Sequence, residues 1–381
     1  DMEILSKYVG RFASTEGEFA MLDGVRARIL GEQEVNVEGF VATRHPEVFV
    51  GIHVSLILVG GVVGFWWPIW GGVLVTLGTL ALVVETTGRF SLANWVPIKA
   101  AAYNLVVRKR RSAQSRGTIV LTTPLDVPKY RKWELGWIRW TRRPLQWVFG
   151  ASMVLLSLMI LRALGEPLGP RTRDLYLVAI AILAITVLVG LFAYRRESEG
   201  KNSASGVSLL LEMSRRLDAN PVAQDIDVWF AFLASSKSYQ SGMHHFIDLH
   251  SKTLKAPVLF ISVEEPGGMP LTSFSAEGPI VPQVHRPTGP ALVERLQWAG
   301  VKIPLRRSWQ VSDAREAYRR GFRALALSGG RGVATVESTR RATDIIETLL
   351  RWYAHDVGQM ESERSNLESL AKTMTAPLAK G

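Results

Sequence analysis

The chain has 381 residues, 47% hydrophobic and 21% charged, with no cysteine. Its mean hydropathy of +0.12 is high for a soluble protein, and its length allows two or three units. The lack of cysteine excludes disulfides, thiolate zinc sites, iron–sulfur clusters and thiol catalysis, and 12 Trp, 14 Phe and 8 Tyr exclude a solvated, disordered chain. The net charge of +11 is local: residues 86–143 hold 13 Lys and Arg against two acids, Asp126 and Glu134, and the remainder is neutral.

In chain order, residues 16–30 read as a helix and 35–41 as a strand. Residues 48–84 are nearly charge-free, broken at Trp66-Trp67-Pro68-Ile69-Trp70-Gly71-Gly72. About 20 apolar residues cross a bilayer, so two short spans are expected, 48–67 and 69–84, joined by a tight turn. Trp66, Trp67 and Trp70 suit the water–lipid interface. Gly60 and Gly64 form a GxxxG match that permits close helix packing. Residues 104–108 and 118–123 are β-rich. Over 130–147, Trp133, Trp137 and Trp140 fall on one helix face, flanked by Arg131, Lys132, Arg139, Arg142 and Arg143. That pattern predicts a helix in the lipid headgroup layer. A second pair of spans is expected over 145–161 and 175–194, so four transmembrane helices in all.

Two helical hairpins place residues 1–47, 86–143 and 195–381 on one side. The 86–143 loop holds thirteen basic residues, the 162–174 loop three and the first turn none, so that side is expected to be cytoplasmic, with both termini. Apart from His53 these spans contain no acidic or basic side chain, which argues against a transporter or pump.

From Gly206 onward helices and strands alternate: helix 207–217, strand 226–233, helix 242–254, strands 257–263 and 271–274, helix 290–298, strand 324–327 and helix 340–355. The alternation predicts an α/β domain with a mainly parallel, mixed sheet flanked by helices, which the chain leaves twice to form membrane hairpins. The expected divisions are 1–47 (the N-terminal part of the cytoplasmic domain), 48–85 (hairpin 1), 86–144 (basic segment), 145–194 (hairpin 2), 195–356 (main domain) and 357–381 (tail).

Gly200-Lys201-Asn202-Ser203-Ala204-Ser205-Gly206-Val207 resembles the Asp-Asn-Ala-Ser-Gly-Val helix start of the M28 family of zinc aminopeptidases. The run 227–246 is similar to that family's strand, Glu-Glu pair and following helix, and 258–268 to its strand ending in Asn-Leu-Asp. The run 118–126 is similar to its strand ending in His-x-Asp, and Ser312-Asp313 with 318–329 to a late segment. The resemblance implies two zinc ions about 3.5–4 Å apart, five side-chain ligands and a general-base Glu. Carried over, the first His falls on Pro124 and the bridging Asp on Asn202. The Glu-Glu pair falls on Ser235 and Ser236, the Asp on Glu264 and the last His near Ala334. Of these, Glu264 keeps a ligating side chain, and Asp126 keeps a supporting carboxylate. Proline cannot ligate, and Asn and Ser are poor zinc ligands.

His244, His245, Asp248 and His250 cluster without an HExxH arrangement and read as solvated or capping, while His285 and His355 read as surface residues. Residues 328–332 are Gly-rich and read as a loop, and Glu264-Glu265 as a turn. There is no GxSxG, P-loop or GxGxxG. The expected protein is a membrane-anchored M28 peptidase-like pseudoenzyme without cofactor. It would serve as a scaffold or accessory subunit beside other membrane proteins, touching anionic lipid headgroups and not nucleic acid. The alternative is an active membrane-bound aminopeptidase with a rearranged zinc site.

Overall fold

The computed structural model describes residues 1–8, 10–29, 34–44, 46–87, 99–109, 115–127, 144–192, 201–219, 226–285, 293–294, 297, 301–308, 310–330 and 334–375. The expected interfacial helix, with Trp133, Trp137, Trp140, Arg142 and Arg143, lies outside them, as does most of helix 290–298.

Long β-branched and aromatic runs form the strands. They are β1 (Glu34–Thr43), β2 (Lys99–Lys109), β3 (Thr118–Pro124), β4 (Asp227–Leu233), β5 (Val258–Glu264), β6 (Thr272–Glu277), β7 (Gln283–Val284), β8 (Leu305–Ser308) and β9 (Arg323–Ser328). They make one sheet in the order β1-β2-β4-β3-β5-β9-β6-β7, with β8 on β6. The central strands β4, β3, β5 and β9 are mutually parallel. On the flanks β1–β2, β2–β4, β6–β7 and β6–β9 are antiparallel. The sheet is therefore mixed, and its parallel part is narrower than the alternation predicts. Residues 34–43 and 99–109 pair as sequential strands on either side of the first helical hairpin, and that pairing needs no crossover helix. Strands β3, β4 and β5 are buried along their whole length, as expected where both faces of a parallel sheet are covered.

Helices α1 (Met2–Leu5), α2 (Glu16–Arg26), α3 (Pro46–Gly64), α4 (Pro68–Thr87), α5 (Pro144–Ala163), α6 (Pro170–Phe192), α7 (Lys201–Ala219), α8 (Ser241–His250), α9 (Asp313–Arg319) and α10 (Val336–Thr375) complete the described elements. One face of the sheet packs Leu105, Leu121, Phe230 and Ile261 against α7 and α10 residues such as Leu210 and Ile346. The other packs Val120, Ala231 and Phe260 against Phe246 of α8 and Ala314 and Ala317 of α9.

Helices α3–α6 form a separate apolar cluster around Ile57, Val75, Leu155 and Tyr176. By length and composition, residues Pro68–Thr87 and Leu145–Ala163 are able to cross a membrane; Val48–Gly64 is a shorter apolar helix. Trp66, Trp67 and Trp70 sit at the α3–α4 turn and are each more than 60% exposed. The structure adds Glu85 to α4, where its carboxylate lies 3.8 Å from His53 of α3, both side chains buried. Arg162 donates to the last carbonyl of α3, Gly64 O at 3.1 Å, and to Phe65 O just beyond it. At the other end of the bundle Arg315 donates to Thr87 O of α4 at 2.7 Å. Both contacts put a cation at a helix C-terminus, where the macrodipole favours it.

Candidate functional site

The carboxyl ends of β3, β4 and β5 meet at one edge, the place where open α/β sheets bind ligands. Pro124 ends β3 opposite Leu233, and Ser235-Ser236 follow β4 directly. Glu264 ends β5. Gly206 of α7 packs against the same edge. A Cβ there would lie 2.4 Å from Thr123 Oγ1 and 3.1 Å from Val263 O, so only glycine lets the helix approach. Ser205 Oγ accepts from Gly267 N at 3.0 Å, and a Cβ on Gly267 would lie 2.3 Å from Ala334 Cβ. The structure therefore brings Pro124, Ser235, Ser236, Glu264 and Ala334 to one end of the sheet. Asn202 lies in the first turn of α7, and its side chain lies outside the described residues.

The chemistry gathered there differs from the expected set in one respect above all: a lysine stands among the acids. The Lys237 ammonium is bound to Glu264 Oε2. Glu264 Oε1 accepts from Ser262 Oγ at 3.0 Å. Ser236 Oγ donates to Asp313 Oδ1 and Oδ2 at 2.9 and 3.0 Å. The backbone N–H groups of Ser236 and Lys237 donate to the two oxygens of Asp126, each at 2.9 Å. Behind them Glu18 Oε1 accepts from Ser235 N at 2.6 Å and Oε2 from Ser14 N at 2.9 Å. Ser235 adopts φ +51°, and Tyr239 and Gln240 are also left-handed, so the β4–α8 loop folds tightly around these acids.

Burial raises the Asp313 carboxyl to about 8, helped by the nearby Glu264 charge. Burial likewise raises Glu18 to about 8, with Asp126 adding repulsion, and raises Asp126 to about 6 against the pull of Lys237. Burial alone would depress the Lys237 ammonium, but Glu264, Asp313 and Asp126 overcome it and push its pKa above the ordinary lysine range. Ser236, Lys237 and Glu264 line a cavity of about 280 Å³, shared with Gln240, Arg315 and, from the end of α4, Glu85.

No protein-family model and no curated protein matches this sequence. Among solved structures, a glutaminyl cyclase from Fimbriiglobus ruber is similar at 10% identity and a TM-score of 0.50, over 92% of each chain. The fold is that of the M28-like zinc exopeptidases and glutaminyl cyclases. An Acidobacteriales bacterium glutaminyl cyclase matches at 12% identity and TM-score 0.49, over 93% of this chain and 92% of that one. BSAP, a zinc aminopeptidase from Bacillus subtilis, matches at 10% and 0.47, over 92% of each.

The M28-like fold implies a zinc centre, and the residues here do not fit one. Pro124 and Ala334 offer no donor, the Ser236 hydroxyl is committed to Asp313, and Glu264 is committed to an ammonium. Among the described residues, no group of three or more His, Cys, Asp or Glu is arranged to hold a metal ion.

The histidines serve elsewhere. His244 pairs with the buried Glu316 at 2.9 Å, and His250 with Glu38 at 2.6 Å. His285 corrects the surface expectation. It is 1% exposed, 3.1 Å from Glu277 Oε1 and stacked on Tyr318, because the chain leaving β7 continues along β6, His285 N donating to Ser275 O at 2.9 Å. His355 is exposed, as expected. Sequence reasoning missed Lys237 and Glu18. The signal for Glu18 was an acid on the apolar face of a short helix; Lys237 follows two serines and carries no local signal.

Proposed function

We propose that this chain is a membrane-anchored, non-catalytic protein whose M28-like domain acts as a scaffold or accessory subunit of a membrane protein complex. One observation carries the non-catalytic part: Glu264, which keeps an acid at a ligand position, is bound by the Lys237 ammonium. Zinc hydrolysis needs a metal on charged or basic donors with a position left open for water or substrate. Lysine neutralises the acid but is no Lewis acid. Elemental analysis of protein purified in mild detergent is expected to give well under one zinc per chain, with no chelator-sensitive aminopeptidase activity. Two zinc ions per chain together with such activity would restore the enzyme reading.

The anchoring reading takes α3–α6 as four spans. Ile52, Val59, Leu77, Leu80, Ile160, Val178 and Leu188 point outward from the bundle with about half or more of their surface exposed, which supports an apolar surrounding. Lipid and neighbouring membrane subunits are the covering this reading assigns to them. The thirteen basic residues of 86–143 support a cytoplasmic domain, attracted to anionic headgroups. Cysteines introduced at Ser115 and Ser203 are expected to resist impermeant thiol reagents in intact cells; labelling of either from outside overturns the orientation.

A further inference from the structure

We propose that the Lys237 ammonium takes the place of a metal ion in this fold, neutralising Glu264, the acid kept at a ligand position, beside the buried Asp126 and Asp313. The inference rests on the non-catalytic reading above and goes further, since a site that had merely lost its ligands would need no cation.

The acids remain although the ligand set is gone. Asp126, Glu264 and Asp313 are each less than 10% exposed and converge on residues 236–237. Buried carboxylates persist only when paired or protonated. The Lys237 ammonium pairs with Glu264, while the backbone N–H groups of Ser236 and Lys237 satisfy Asp126. Asp313, N-terminal residue of α9, contacts the same group through Ser236 Oγ, and its own N–H points to Glu264 Oε1 at 3.4 Å. Residues 236–237 thus join the ends of β3, β4 and β5 to α9, and the Lys237 side chain supplies the contact to Glu264. An ammonium has three donors and a compact charge, so it suits a nest of oxygen acceptors. It cannot activate water at neutral pH as zinc does, so the replacement keeps the structural role and removes the chemistry.

The test is thermal unfolding of the full chain in detergent, with EDTA, with 1 mM MnCl2 and with neither. A ligand that binds only the folded state raises the midpoint, so the wild type is expected to shift by less than about 1 °C in either addition. Lys237→Met keeps the volume and removes the charge, and is expected to lower the midpoint by about 5 °C or more. Lys237→Arg keeps the charge and is expected to retain at least half of that margin. A methionine variant as stable as the wild type, or an arginine variant no better than methionine, overturns the proposal while leaving a zinc-free wild type intact. A wild type that EDTA destabilises overturns both this proposal and the non-catalytic reading.

Discussion

Replacing Gly71 with alanine is expected to lower the midpoint of thermal unfolding in detergent by about 5 °C or more, whereas alanine at Gly72 leaves it unchanged or slightly raised. The two glycines are neighbours on α4 but face differently. A Cβ at Gly71 would lie 2.2 Å from Gly64 Cα, 2.4 Å from Gly64 N and 2.6 Å from Gly60 O. All three are backbone atoms of α3 and cannot rotate away, so the helices must separate. Gly72 has nothing within 4 Å of the same position. There the substitution gains helix propensity, about 1 kcal/mol at most. The separation at Gly71 would spread along the hairpin. Gly78, two turns further along α4, packs against Ile57 and His53 O, and the His53–Glu85 contact crosses the same interface. Equal midpoints for the two variants would show that α3 and α4 do not pack through this face.

The elements legible in the sequence were those whose residues share one environment along their length. Strands 226–233 and 257–263 read as continuous apolar runs because both faces of β4 and β5 are covered. The helical hairpins read from the absence of charge. What escaped was defined by partners far away in the chain. β8 is Leu-Arg-Arg-Ser with three exposed residues, and it exists only through pairing with β6 across a bulge. α9 carries Asp313, Arg315 and Glu316 buried beside Ala314 and Ala317, so its charges hide the apolar stripe. The resemblance assigns Pro124, Ser235, Ser236 and Ala334 to ligand or base positions, and the structure gathers them at one edge. The cation among them was not legible, because Lys237 meets Glu264 27 residues on and Ser236 meets Asp313 77 residues on. No spacing rule covers such distances.

The second large effect is expected with pH. Glu18 and Asp313 have folded-state pKa values of about 8, and Asp126 of about 6, all above the ordinary carboxylate range because they are buried. The folded state therefore holds protons that the unfolded chain releases near pH 4. Their contribution to stability is fully present below that pH. It fades as pH rises, to about 6 for Asp126 and about 8 for the other two. One pKa unit corresponds to about 1.4 kcal/mol. Shared burial and the backbone donors to Glu18 hold the combined effect to a few kcal/mol, so the unfolding midpoint should fall by about 5–10 °C between pH 5.5 and 8.5. Glu18→Gln should flatten this slope. The amide keeps one acceptor for Ser235 N but turns a donor toward Ser14 N, so the variant loses stability at pH 5.5 and recovers relative to the wild type at pH 8.5. A midpoint that rises over this range, or a glutamine variant with the wild-type slope, would mean that Glu18 is ionised in the folded protein and that the Lys237 charge reaches further into the acid cluster than Asp126.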